Sequence, residues 1–325
     1  TKSFGKQTPA MYKKNYPFLK EVDSLALANV QLNLQGALKN CFDKNRKRQN
    51  GFPKFKSAKH SRKSYTTNNQ KGTVEIIDDK YIKLPKVGKI KAVIHRKPDA
   101  DWVIKSATIS RDSDGKFYAS VLFEYEKVIT PAIISDNAIG MDYKSDGLYM
   151  DNNGYCPSGH KYYRQSQEKL AQAQRKLKHM VIGSNNYKKQ QCKIAKIQKH
   201  TSNQRLDFLH KESTKITNLY DIVCVETLDM KAMSNKGFEN GKATMDNGYG
   251  MFLNMLEYKL ADRGKYFVRV DKWYPSSQLC SCCGKQKKLT LADRIYKCDC
   301  GLTINRDHNA AINIKNEGLR ILKSA

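Results

Sequence analysis

The sequence predicts a mixed fold of the α/β plus β class, in which a small antiparallel β-barrel precedes an α/β domain. Three observations lead to this prediction. Short β-rich segments with hairpin turns occupy residues 51–130, buried apolar strands alternate with helices across 131–325, and paired cysteines interrupt the second region at 276–301. A helical segment at residues 1–50 completes a predicted three-part chain.

The first part is predicted to contain a helix, because apolar residues recur at helical spacing between residues 20 and 45. A basic stretch follows, in which Phe52, Lys54, Phe55 and Lys56 interleave aromatic rings with ammonium groups. Rings that stack on bases and cations that pair with phosphates favour nucleic-acid contact. The alternative is a solvated loop that the two phenylalanines anchor.

The second part alternates short β-branched segments with turn residues, which predicts antiparallel strands that close into a small barrel. A clear hairpin turn stands at Asp112–Gly115. The predicted strands are residues 73–77, 81–84, 89–94, 106–110 and 116–123.

The third part begins with two strands, residues 138–142 and 147–150. Residues 161–219 then predict an antiparallel pair of basic helices, whose Arg175, Lys176 and Arg205 are candidate phosphate contacts. A solvated hairpin without a ligand is the alternative. The remaining predicted elements are a buried strand at 222–226, a loop at 236–250, a helix at 252–260, a strand at 266–270 and a C-terminal helix.

The charge of the chain restricts its function. Its 325 residues include 59 Lys and Arg against 31 Asp and Glu, a formal net charge of +28. Such an excess favours a polyanionic partner, and nucleic acid comes first because phosphate neutralisation releases counterions. A membrane surface is the rival partner, but there is no apolar run near the length of a bilayer span and no signal-peptide pattern.

Nine cysteines are present, and five of them lie in one short segment. This distribution indicates one metal site in a reducing compartment, so we expect a cytoplasmic, nucleoid-associated protein rather than a secreted disulfide scaffold. The candidate zinc ligands, in two pairs that each end in Cys-Gly, are Cys280, Cys283, Cys298 and Cys300. The later pair has one residue between its cysteines, and Cys282 remains an alternative ligand.

Three acidic residues hold positions typical of a metal-dependent nuclease. Asp142 and Glu226 each end a predicted strand, and Asp307 begins the C-terminal helix. Carboxylates at one edge of an α/β sheet can bind two Mg²⁺ or Mn²⁺ ions for phosphodiester hydrolysis. Alternatively each acid is a helix cap or a surface charge, and Asp307 in particular could cap its helix.

These motifs together resemble the TnpB (OrfB) proteins of bacterial insertion sequences, relatives of the compact type V CRISPR effectors. The similarity runs from about residue 18 to the end of the chain. The segments that carry it are the cysteine ribbon and residues 51–56, 139–142, 205–211, 225–226, 275–278 and 306–313. A further N-terminal segment, which usually begins the barrel and the recognition helices in this family, is expected to be absent. Asn305 stands where members often have an acid, with little expected effect.

The resemblance implies an RNA-guided DNA endonuclease with a RuvC nuclease domain of RNase H-like fold, an inserted zinc ribbon and a wedge-type barrel. It implies a guide RNA and a double-stranded DNA target as partners, and it matches Asp142, Glu226 and Asp307 to the catalytic acids. The four cysteines in the two Cys-Gly pairs match the zinc ligands. Two other functions stay open: an RNA-guided repressor that binds without cutting, and a transposase that acts on transposon ends.

Overall fold

The computed structural model describes residues 8–43, 51–57, 61–158, 161–233, 241, 246–290 and 293–324. The chain divides into two compact units, Thr1–Lys127 and Val128–Ala325. The described helices include none that is both long enough and apolar enough to cross a membrane.

The first unit opens with helices, as its periodicity predicts. The elements are α1 (Pro9–Tyr12), a 3-10 turn (Pro17–Lys20) and α2 (Ser24–Phe42). Asp23 caps α2, because its carboxylate accepts hydrogen bonds from the backbone N–H groups of Leu25 and Ala26. The predicted helix at residues 20–45 is therefore confirmed.

Six strands follow in the described part of the first unit. They are β1 (Lys63–Asn68), β2 (Glu75–Ile77), β3 (Tyr81–Leu84), β4 (Gly88–Lys91), β5 (Val103–Arg111) and β6 (Phe117–Glu124). They form two antiparallel three-stranded sheets, ordered β1-β5-β6 and β2-β3-β4. The predicted strands are present and β1 is an additional one, but closure into a single barrel is not confirmed.

The second unit is built on a four-stranded sheet. Its strands are β7 (Ala138–Tyr143), β8 (Tyr149–Asp151), β9 (Ile222–Glu226) and β10 (Tyr266–Val270), in the order β10-β9-β7-β8. The β7–β9 and β9–β10 pairs are parallel and the β7–β8 pair is antiparallel. The α/β part of the predicted fold class is confirmed.

The described residues of this unit form five helices: α3 (Tyr162–Lys178), α4 (Asn185–Leu219), α5 (Met230–Met233), α6 (Tyr249–Ala261) and α7 (Arg306–Lys323). The predicted helix pair is confirmed as α3 and α4. Gln190 of α4 donates a 2.8 Å hydrogen bond to the carbonyl of Ala173, while the hydroxyls of Thr201 and Ser166 lie 2.9 Å apart. Because the later residue of α4 meets the earlier residue of α3, the two helices run antiparallel.

The predicted loop at 236–250 is only partly covered by the structure. Residues 236–240 and 242–245 lie outside the described ranges. Tyr249 and Gly250 belong to α6, so the loop prediction is wrong at its end. Gly248 precedes the helix with a left-handed backbone (φ 65°), a conformation that glycine adopts without steric cost.

Helices cover both faces of the sheet, since successive strand side chains point to opposite sides. On one face, Ile139 and Val223 pack in a buried cluster with Leu209 of α4 and Phe252 of α6. On the other face, a second cluster includes Ile314 of α7. Its remaining buried members are Ala138, Ile222, Cys224, Val268 and Val270. The helix that carries Asp307 therefore lies directly on the sheet.

Candidate functional site

The two strand acids lie side by side at the carboxyl ends of parallel strands. In the β7–β9 pairing Met141 stands opposite Val225, so Asp142 and Glu226 are the next residues along each strand. Their carboxyl groups are joined by a side-chain hydrogen bond. The structure thus brings together two acids that lie far apart in sequence, at the sheet edge where α/β proteins bind ligands.

The electrostatics of this pair are those of like charges in a partly buried site. Burial, followed by the negative charges of Glu226 and Asp307, raises the pKa of Asp142 well above its usual range, and Arg306 opposes this shift. Burial also raises the pKa of Glu226, although hydrogen bonds from Asp142 and from the Tyr143 backbone counteract it. These directions favour a protonated Asp142 that donates its hydrogen bond to Glu226.

Asp307 reaches the same edge from the first turn of α7. It is not the helix cap: Asn305 holds that role, since its side chain accepts hydrogen bonds from the N–H groups of Asp307 and His308. The carboxylate instead lies near two cations, 4.0 Å from Nζ of Lys144 and 3.7 Å from Nε of Arg306. The capping alternative for Asp307 is therefore wrong, and its side chain is left for the site.

The helix α7 can approach the sheet because glycines stand at the contacts. A Cβ on Gly140 would lie 2.2 Å from the carbonyl oxygen of Ala311 and 2.5 Å from the N of Lys315. One on Gly318 would lie 2.3 Å from the sulfur of Cys224. Gly140 therefore sets the distance between the sheet and α7, the helix that carries Asp307.

Two tyrosines that sequence reasoning missed flank the acid pair. The rings of Tyr143 and Tyr249 lie 4.9 Å apart, and both hydroxyls are buried without a hydrogen-bond partner among the described residues. Burial, followed by the charges of Glu226 and Asp142, raises the pKa of Tyr249 well above its usual range. No sequence signal identified Tyr249, because it lies at the end of the segment 236–250, which the composition assigned to a loop.

Four cysteines form a second site. The described residues contain one cluster of metal-binding side chains whose ligand atoms all lie within 4.8 Å of one another. The members of that group are Cys280, Cys283, Cys298 and Cys300. The carboxylate oxygens of Asp142, Glu226 and Asp307 do not all lie within 4.8 Å of one another. Cys282 is exposed and lies outside the cluster, which argues against its use as a substitute ligand.

The thiol geometry matches tetrahedral coordination. The sulfur atoms of Cys280 and Cys300 lie 3.6 Å apart, as do those of Cys283 and Cys298. Four sulfurs at about 2.3 Å from a central zinc would be separated by about 3.8 Å. Burial opposes ionisation of Cys280, but backbone N–H groups of Cys283 and Cys282 outweigh it and lower its pKa to about 7. In the same cluster the backbone of Leu302 lowers the pKa of Cys300, but burial and the neighbouring thiols outweigh it and raise that pKa to about 12. The fit to zinc therefore rests on the spacing of the four sulfur atoms.

Each cysteine pair is shaped by a tight turn. The N–H of Gly284 donates to the carbonyl of Cys280 (2.9 Å) and that of Gly301 to the carbonyl of Cys298 (3.0 Å). Both glycines have positive φ, 74° and 94°, which explains the Cys-Gly pattern. The second turn connects strands β11 (Ile295–Lys297) and β12 (Thr303–Asn305), which pair antiparallel, and α7 begins directly after β12.

Two buried asparagines of α7 connect this ribbon to the acidic site. Nδ2 of Asn313 donates to the carbonyls of Ser276 and Leu279, both at 2.8 Å. Asn309 also donates to Leu279 (2.6 Å) and accepts from the N–H of Ser281 (3.0 Å). The sequence signal that could have identified this pair is its spacing of four residues, which places both asparagines on one face of the helix. Because Asp307 precedes Asn309 by two residues, the ribbon and the acid are held by the same helix.

The candidate nucleic-acid contacts differ in exposure. Phe52, Lys54, Phe55 and Lys56 are exposed, and the Phe52 ring meets Phe42 at 6.5 Å. Arg175 and Lys176 are also exposed, in the last turn of α3.

Arg205 differs from these candidates. Its side chain is 19% exposed and pairs at 3.3 Å with Asp246, which is buried. Asp246 also accepts a 3.0 Å hydrogen bond from the backbone N–H of Tyr163 at the start of α3. The ion pair favours a role for Arg205 in packing rather than in phosphate contact.

Two family models match segments that lie mostly in the second unit. The model described as "Probable transposase" (OrfB_IS605) matches residues 121–237, which contain Asp142 and Glu226. The model described as "Cas12f1-like, TNB domain" matches residues 249–314, which contain the four clustered cysteines and Asp307. Both candidate sites therefore fall inside matched segments.

Similar proteins cover most of the chain. A Streptomyces pristinaespiralis protein, "Putative RNA-guided DNA endonuclease", is 34% identical over 93% of this chain and 73% of its own length. An Escherichia coli K12 protein, "Putative RNA-guided DNA endonuclease InsQ", is 31% identical over 94% of this chain and 77% of its own length. A chain in a cryo-EM structure of the Cas12f1–sgRNA–target DNA complex has the same fold. It aligns with a TM-score of 0.52 and 15% identity, over 96% of this chain and 76% of that chain.

Proposed function

This chain belongs to the TnpB (OrfB) family, and from that premise we propose that it is a transposon-associated RNA-guided DNA endonuclease. The Streptomyces pristinaespiralis and Escherichia coli relatives support this activity, because both are named as RNA-guided DNA endonucleases and both alignments extend over more than nine tenths of this chain. The fold that it shares with a Cas12f1 chain supports a RuvC-type, RNase H-like nuclease domain in the second unit.

The observation that carries the proposal is the juxtaposition of Asp142 and Glu226. Two hydrogen-bonded carboxyls at adjacent strand ends form a site of concentrated negative charge in a chain of net charge +28. A structural role for such a pair is poorly favoured, because buried like charges destabilise a fold unless a cation or a proton offsets them. A cation-binding catalytic site explains the arrangement.

The donor set fits a hard divalent cation. Asp142, Glu226 and Asp307 offer carboxylate oxygens, which are the ligands that Mg²⁺ and Mn²⁺ prefer. Bound there, two such ions supply an activated water and stabilise the leaving oxygen in phosphodiester hydrolysis.

The protein positions these ligands through its own contacts. Gly140 lets α7 approach the sheet, and Asn305 caps the helix so that the Asp307 carboxylate is free to turn toward Asp142. Lys144 and Arg306 lie within 4.0 Å of Asp307 and give the site positive charge that can pair with a phosphate oxygen. We assign these two cations to substrate orientation.

We further propose that zinc at the four clustered cysteines is structural. All four positions are taken by thiolates, so a bound zinc ion has no open place for substrate. Asn309 and Asn313 transmit the position of the ribbon to α7.

The partners follow from the family and the charge. We propose a guide RNA and a double-stranded DNA target, with sequence read by base pairing and backbone held by Lys and Arg. The exposed segment with Phe52 and Phe55 and the α3 residues Arg175 and Lys176 are proposed contacts. The first unit is proposed to act as a wedge-type domain, and the protein to work beside the nucleoid in the cytoplasm.

The test is cleavage of a plasmid library by the protein, co-expressed with the RNA of its own locus, with and without Mg²⁺. Guide-directed cuts should appear with Mg²⁺ and vanish in Asp142→Ala, which should still co-purify with RNA. The matched control is Asp146→Ala, which removes an exposed carboxylate four residues away and should cut normally.

Other outcomes would identify the alternatives. Guide-directed binding without cuts in the wild type would identify a repressor, and RNA-independent action on transposon-end DNA would identify a transposase. Retained cutting by Asp142→Ala would overturn the site assignment.

A further inference from the structure

An exposed tryptophan stands at the sheet edge that carries the acids. Trp273 follows β10 by three residues, and its side chain is 82% exposed. Val270, the last residue of β10, pairs with Glu226, and the hydroxyl of Thr227 donates to the Val270 carbonyl at 2.7 Å. Three residues span at most about 11 Å, so Trp273 lies within that distance of the strand end.

The turn that carries this ring is held by hydrogen bonds. The carboxylate of Asp271 accepts from the N–H of Trp273 (2.8 Å), and its carbonyl accepts from the N–H of Tyr274 (3.1 Å). The next residue, Tyr274, packs against the buried cluster beneath α7. The tryptophan is therefore presented to solvent from a fixed support.

The chemistry beside the ring is cationic. Nζ of Lys272 lies 5.1 Å from the centroid of the Trp273 ring, within cation–π range. An aromatic face next to an ammonium group is the combination on which single-stranded nucleic acids stack their bases and anchor their phosphates. The other tryptophan, Trp102, is already stacked on Tyr125 at 4.4 Å and lies in the first unit.

We propose that Trp273 is a stacking platform for an unpaired base of the target DNA strand that enters the acidic site. The assignment rests on the proposed nuclease function, because that function brings a single strand to this edge. At about 3.4 Å per stacked nucleotide, a maximum reach of about 11 Å places the stacked base within about three nucleotides of the strand end near Glu226. Lys272 contacts the phosphate beside that base.

The test measures the fluorescence of Trp273 in the full chain. A Trp102→Phe, Asp142→Ala background leaves Trp273 as the sole tryptophan and prevents hydrolysis. A thymidine 15-mer should quench the emission, and a 15-mer of abasic sites should not. By anisotropy with a labelled 15-mer, Trp273→Ala and Trp273→Leu should weaken binding about 5- to 150-fold, while Trp273→Phe retains most affinity. Lys272→Gln should lower the salt dependence and keep the quenching.

Several results would overturn this proposal. Quenching by the abasic strand equal to that by thymidine would mean phosphate contact alone. If the Trp273→Ala protein bound the labelled 15-mer as tightly as the protein with Trp273, the ring would contribute nothing to binding. Guide-directed cleavage by the protein with Asp142 intact is measured in parallel. Cleavage without fluorescence quenching would refute only the stacking proposal, whereas quenching without cleavage would refute only the proposed endonuclease function.

Discussion

Replacing Gly140 by alanine tests how closely α7 must approach the sheet. The added Cβ would lie 2.2 Å from the carbonyl oxygen of Ala311, whereas ordinary contacts begin at 3.4 Å. Relief of the clash needs a displacement of about 1.2 Å, the difference between those two distances. Both near atoms belong to backbone, so rotation of a side chain cannot relieve it.

The displacement should affect catalysis more than stability. Overpacking of this kind costs about 1–3 kcal/mol of unfolding free energy. Asp307 lies one helical turn before Ala311, and a misplacement of about 1 Å in a catalytic group lowers the rate by about 10²-fold. We expect guide-directed cleavage by Gly140→Ala to fall by about that factor.

The assay pairs urea unfolding with cleavage of a guide-matched plasmid. The control is Gly250→Ala in α6, where an added Cβ meets nothing within 4 Å. That control should stabilise the protein by up to about 1 kcal/mol, because alanine favours helix over glycine. If Gly140→Ala unfolds and cuts like the wild type, the close approach of α7 does not position Asp307 as argued.

Three further predictions concern the two sites. Folding raises the pKa values of Asp142 and Glu226, so the folded protein is stabilised when the pair is protonated at low pH. The unfolding free energy should therefore fall as pH rises from about 4, where these carboxyl groups begin to ionise in the unfolded chain. In Mg²⁺-free buffer, Asp142→Asn should therefore gain stability relative to wild type as pH rises, and a constant difference would contradict the shared proton. Asn313→Leu should cost about 1–3 kcal/mol and slow cleavage while zinc content is unchanged. The substitution removes the donor to the Ser276 carbonyl and one of the two asparagine donors to the Leu279 carbonyl, and zinc loss would contradict the prediction. Cys283→Ser should lower zinc content by mass spectrometry and Cys282→Ser should not, because only the former belongs to the cluster.

Sequence periodicity predicted the second unit well because its signals are local and strong. The strand Ile222–Glu226 is a continuous apolar run, and all four residues before the acid are buried. The predicted helix pair at 161–219 is divided before α4, which begins at Asn185 and is capped by Ser184. The positions of Asp142 and Glu226 at strand ends were predicted, whereas the parallel pairing that places the two acids side by side was not.

The failures have separate physical causes. Strand β1 was missed because Lys63–Asn68 is polar and basic, and its pairing with β5 comes from partners distant in sequence. The start of α6 was assigned to a loop because glycine and asparagine are common there, but buried Tyr249 packs with Phe252 and extends the helix. The Arg205–Asp246 ion pair was not foreseen, because its two residues lie 41 residues apart in sequence; phosphate contact by Arg205 stays a prediction. Tertiary pairing decided each case.

The most direct measurement of the central claim is a guide exchange. The protein is purified with two RNAs that differ only in their guide segment, and each complex is incubated with Mg²⁺ and a plasmid that carries both target sequences. We predict that each complex cuts at the site that its own guide matches and that Asp142→Ala cuts at neither. A cut that stays at one position whichever RNA is bound, or that persists in Asp142→Ala, would contradict the account.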